Sequence, residues 1–128
     1  MSYYFSKTLN TDFETAISRV SEELKKEGFG ILTEIDVKET FKKKLDVDFR
    51  NYRILGACNP NFAFEAIKME DKVGTMLPCN VIVQEHEDGK IEISAIDPIA
   101  SMMAIKNSSL GGVAISVSDK LRKVIENL

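Results

Sequence analysis

A chain of 128 residues with 44% hydrophobic side chains can build one core without disulfide or metal staples, and is read as a single domain over residues 1–128. Its net charge of -3, from 20 acidic against 17 basic residues spread along the sequence, excludes the broad basic field that would attract nucleic acid or an anionic membrane. The chain does not open with a basic segment followed by an apolar run, and no apolar stretch nears the ~20 residues needed to cross a bilayer, so a cytoplasmic protein with reduced cysteines is expected.

The first predicted element is a strand, from the aromatic-rich alternation of Tyr3 to Leu9, which stops at Asn10. Thr11 and Glu14 then have the spacing of a capping box. Phe13, Ala16, Ile17, Val20 and Leu24 mark one face of the helix that follows, and Gly28 ends it. Phe29, Ile31, Thr33, Ile35 and Val37 alternate with Gly30, Leu32, Glu34 and Asp36, predicting a second strand with one strongly apolar face. Asp36 caps a short second helix whose buried edge is Val37, Phe41 and Leu45. Lys38, Lys42, Lys43 and Lys44 cover the rest as a solvated face, since they sit in an acidic protein.

Asn51 to Cys58 reads as a third strand, after which Asn59-Pro60 opens a helix with Phe62, Ala66 and Ile67 on its apolar side. Segments 77–87 and 90–96 flank Asp88-Gly89, a hairpin signal in which both turn residues tolerate positive φ. Asp97-Pro98 starts a further helix through Met102 and Met103 to about Asn107. Val113, Val117, Leu121, Val124 and Leu128 mark a last amphipathic helix. Together these predict an α+β, two-layer sandwich: a mixed, largely antiparallel sheet of five strands with helices packed on one face.

Two segments could carry chemistry, each a Cys-Asn pair beside a proline at the boundary of a predicted strand: Ala57-Cys58-Asn59-Pro60 and Leu77-Pro78-Cys79-Asn80. Cys58 precedes a helix N-terminus, where the dipole and unpaired N–H groups favour an anion and can lower a thiol pKa. The competing reading is that both cysteines are small apolar core residues. The spacing is not C-x-x-C, and the sequence assigns neither a metal centre nor a cofactor. Met76, Met102 and Met103 are soft donors suited, with thiolate, to Cu(I), although methionine is more often core filler. His86 is the sole histidine and falls in a Glu85-His86-Glu87 run near the hairpin turn, where a solvated edge is expected. No phosphate-binding, dinucleotide-binding or nucleophile-elbow motif is present.

Residues 28–37, 52–60, 76–83 and 96–98, with the two Cys-Asn segments in this order, resemble the domain-of-unknown-function 302 family over nearly the whole chain. The resemblance implies a compact α+β domain that tends to form homodimers and occurs chiefly in bacteria and archaea, and it implies no established activity. The family pattern often has glycine where this chain has Asp46, and a more polar helix start where it has Gly111-Gly112.

Three functions follow as expectations. The first is a non-catalytic homodimeric module holding a small ligand or a soft metal beside Cys58, Asn59, Cys79, Asn80 and Met76. The second is a thiol enzyme or redox sensor in which Cys58 reacts and Cys79 resolves. The third is a structural or partner-binding domain with both cysteines buried.

Overall fold

The computed structural model describes residues 2–128. In chain order it contains β1 (Tyr4–Leu9), α1 (Phe13–Lys26), β2 (Gly30–Asp36), α2 (Val37–Leu45), β3 (Tyr52–Cys58) and α3 (Pro60–Met69). A 3₁₀ turn at Val73–Met76 leads to β4 (Cys79–Glu85), β5 (Ile91–Ile96), α4 (Pro98–Ser101) and α5 (Leu110–Glu126). The strands lie in the order β1-β5-β4-β3-β2 and every neighbouring pair is antiparallel. β1 and β2 therefore run parallel to each other at opposite edges, joined through α1. This is the expected α+β arrangement.

Strand alternation builds the core. Leu55 and Ala57 on β3, Val81 and Val83 on β4, and Ile91, Ile93 and Ala95 on β5 point to one face, where they meet Val20 and Leu24 of α1 and Leu121 and Val124 of α5. Each fully buried branched side chain contributes roughly 1.5–3 kcal/mol. The opposite face is largely uncovered: Val37 and Phe41 of α2 share a recess with Ile35, Tyr52 and Ile54 at one end, and Tyr4, Ile82 and Ile96 border a second recess beyond it.

Four sequence expectations need correction. The α1 cap is Asp12, not Thr11. Its carboxylate accepts from the Thr15 N–H at 2.8 Å and the Thr15 hydroxyl at 2.8 Å, bonds that hold its pKa below the usual value. β2 does not keep one apolar face: the register shift between Ile31 and Thr33 sets Ile31 opposite Ala57 on the core face but Ile35 opposite Ile54 on the other, and Leu32 and Ile35 stay 67% and 49% exposed. The fourth helix ends at Ser101, well short of Asn107, and α5 starts at Leu110 so that Gly111 and Gly112 are helical. At the hairpin only Gly89 takes positive φ (82°); Asp88 instead accepts the Lys90 N–H on its side chain at 2.9 Å. Two caps stand as read, with Asp36 accepting from Glu39 N–H at 3.0 Å and Asp97 from Ile99 N–H at 3.0 Å.

Gly89 also donates its N–H to the His86 carbonyl at 2.9 Å, which closes the turn between β4 and β5. A β-branched residue is strained at that φ, so Gly89→Val should cost about 1–3 kcal/mol. Urea unfolding followed by circular dichroism will show this as a lower midpoint with unchanged slope, whereas an unchanged midpoint would mean the turn relaxes freely.

Candidate functional site

The two Cys-Asn segments are neighbours because β3 and β4 pair antiparallel, with Gly56 opposite Asn80 and Ala57 opposite Cys79. Gly56 is required at this junction. A Cβ there would overlap Thr33 Oγ1 and lie 2.8 Å from Pro78 Cγ, so the absence of a side chain lets β2 and the Leu77-Pro78 segment close over β3. The Leu77-Pro78 peptide is cis.

A second junction fixes the other side. α1 ends in a Schellman arrangement: the Phe29 N–H donates to Leu24 carbonyl at 2.9 Å and the Gly28 N–H to Lys25 carbonyl at 3.0 Å, with Gly28 at φ 87°. Asn59 occupies the N-cap position of α3, yet its side chain does not cap. Its Nδ2 donates instead to the Glu27 carbonyl at 3.2 Å, and a Cβ on Gly28 would approach that nitrogen to 3.0 Å. The β3–α3 corner is thereby tied to the end of α1.

Between these junctions and helices α3, α4 and α5 lies a cleft of about 300 Å³. Phe29, Ala57, Phe62, Ala63, Met102 and Val117 make up much of its wall, with Leu77 and Pro78 at the β4 entry. A small cluster of Ala66, Val73 and Leu110 packs beside it. Leu32 reaches the cleft because the β2–β3 register shifts between Ile31 and Thr33, leaving Leu32 as the extra residue of a bulge.

Of the residues singled out in the sequence, Cys58, Asn59 and Cys79 line this cleft together. Asn80 does not: strand alternation turns it to the opposite sheet face, into a recess with Tyr4 and Tyr52. Met76 sits exposed on the 3₁₀ turn outside the cleft lining. Met102 is the methionine that joins the thiols there, and among the described residues no group of three or more His, Cys, Asp and Glu could hold a metal ion. Phe62, Ala66 and Ile67 were legible as an apolar helix face, but nothing local distinguished a wall of a cleft from a filled core.

The thiols are not activated. Burial pushes the half-buried Cys58 up from its ordinary value, opposite to the lowering that its place before a helix suggests. Cys58 stands one residue outside the cap, and the first helical residue, Pro60, has no N–H to offer. Cys79 is buried and is pushed up to about 11, first by burial and then by the Cys58 charge. Cys79 pairs directly with Ala57 rather than with Cys58, so the two cysteines stand one residue out of register across the β3–β4 ladder. His86 lies past the far end of β4 from Cys79, hydrogen-bonded to Glu92 at 3.0 Å. That bond and one from Ser6 at 2.8 Å hold the Glu92 carboxyl below its usual range.

A family model described as "Domain of unknown function DUF302" matches residues 5–128. The structure is similar to a crystal structure of an uncharacterized conserved DUF302 protein from Bacillus stearothermophilus, with a TM-score of 0.90 and 27% identity over 98% of each chain. A search of curated proteins found no match to this chain.

With both pKa values raised, alkylation at pH 7 should be slow, modify Cys58 before Cys79, and accelerate about tenfold per pH unit up to the Cys58 pKa. Peptide mass spectrometry over a pH series checks this; fast labelling of Cys58 at pH 7 would show a thiolate after all. The linked stability has a definite sign. A neutral Cys79 stabilises the fold fully below its ordinary 9.0, and that contribution is lost as pH rises toward about 11. The urea midpoint of the parent chain should accordingly fall faster over that interval than that of Cys79→Ala.

Proposed function

The chain belongs to the DUF302 family, and from that premise we propose that it is a non-catalytic, homodimeric, cytoplasmic module that binds a small ligand in the cleft beside Cys58, Asn59 and Cys79. The observation that carries the reading is the cleft itself: concave, bounded by tied backbone junctions on both sides, with Ala57, Ala63, Ala66 and Ala114 leaving space between its larger apolar side chains. A thiol-dependent reaction is less favoured, since neutral thiols are weak nucleophiles and His86 lies at the far end of β4. Soft-metal loading would have to displace protons from the same two thiols.

Self-association is supported by the sheet face opposite α1 and α5. Tyr3 is 65% and Tyr4 44% exposed at the β1 edge, and Ile35 adds further uncovered apolar surface. An antiparallel sheet tolerates one solvated face when that face is polar, but here aromatic and aliphatic side chains occupy much of it.

Light scattering should return twice the 14.3 kDa chain mass at micromolar concentration, and the monomer mass would overturn the dimer. For the cleft, equilibrium dialysis against a panel of charged and neutral metabolites should find a saturable one-to-one binder. Ala63→Phe should weaken it by at least about tenfold while unfolding stays cooperative, since the new ring occupies the cleft. A panel without binders, or binders indifferent to Ala63→Phe, overturns the binding reading.

A further inference from the structure

We propose that the ligand is uncharged and rich in hydrocarbon, an aliphatic or single-ring aromatic molecule inserted between the β3–β4 end of the sheet and helices α3 and α5; this rests on the cleft being a binding site. Among the described residues no Asp, Glu, Lys, Arg or His lines the cleft. Of its few polar side chains, Asn59 already spends an amide hydrogen on the Glu27 carbonyl, and Cys58 and Cys79 are themselves held neutral by burial. An ionised group placed inside would lose its hydration and gain no counter-charge, whereas a hydrocarbon loses nothing by leaving water.

The mouth points the same way. Leu32, 67% exposed on the β2 bulge, and Ile67, 47% exposed on α3, both line the cleft, so its entrance is apolar as well as its interior. The volume of about 300 Å³ is at the lower end of small-molecule sites. It suits a small molecule better than a helix or a second copy of the chain, which would need roughly 800 Å² from each partner.

Titration calorimetry with the straight-chain alcohols from 1-butanol to 1-decanol tests the inference. Affinity should rise about fourfold per added methylene, the equivalent of ~0.8 kcal/mol for each buried CH₂, and level off once the cleft is full. The eight-carbon dicarboxylate suberate, which cannot enter without burying a charge, should bind at least about a hundredfold more weakly than 1-octanol. Leu32→Ser, at an exposed position, should weaken 1-octanol severalfold without changing the unfolding midpoint, which keeps the test informative if Ala63→Phe does not fold. Affinity independent of chain length, or suberate binding that equals 1-octanol, overturns the inference. If suberate or another charged compound binds and Leu32→Ser or Ala63→Phe abolishes it, the binding site stands and only its chemistry is wrong. If no alcohol, dicarboxylate or metabolite binds, both fail.

Discussion

The pairing of β3 with β4 around Gly56 is the constraint on which the cleft depends. Thr33 from the edge strand and Pro78 from the β4 entry both press onto the place where a Cβ would stand, so three separate stretches of chain meet at one glycine. That register puts Ala57 and Cys79 side by side on the core face and Asn80 on the other. A shift of one residue would exchange the faces of every β4 side chain, sending Val81 and Val83 into solvent and costing several kcal/mol of lost burial. The cleft is thus positioned by the same forces that hold the core.

Two opposing effects meet at the thiols, and their sizes decide the outcome. A helix dipole at a first turn is worth about 0.3–1 kcal/mol and fades beyond it. The rise of Cys79 from 9.0 to about 11, due first to burial and then to the Cys58 charge, corresponds to roughly 3 kcal/mol of cost to its thiolate. Cys58 is less enclosed, yet burial raises it too, and the proline that follows the cap has no N–H to offset this. A cysteine before a helix is therefore an incomplete signal of reactivity; its place relative to the cap and its burial decide the sign.

Local chemistry was readable in the sequence where one residue and its near neighbours settle it. Asp36 and Asp97 cap their helices through bonds two or three residues away, and Gly28 ends α1 by its own backbone freedom. Asn59 occupies the expected cap position, but a carbonyl 32 residues away takes its side chain, which no local pattern encodes. Likewise the single apolar face expected of β2 is broken by the bulge at Leu32, because a register shift against β3 is a property of the finished pairing and not of local alternation. Met76 and Asn80 stood beside the second cysteine in sequence and are turned away by the 3₁₀ turn and by strand alternation. Adjacency along the chain was a good guide to the Cys-Asn segments and a poor one to the cleft wall, which is assembled from α3, α4 and α5.

The strand order also governs how the chain reaches this state. β1 is the first strand made, and its partner is the last: Tyr4 pairs with Ile96 and Leu9 with Ile91. During synthesis the aromatic N-terminal segment has no strand to pair with until more than two-thirds of the chain has left the ribosome. At about 5–20 residues per second that interval lasts several seconds. Pairings this distant in sequence are slow to close, since chain entropy must be lost before any contact repays it. The β2–β3–β4 ladder is complete earlier and offers the more local nucleus. Until β5 is made, the backbone N–H and C=O groups of Tyr4–Leu9 have no ladder partner and must be satisfied by water.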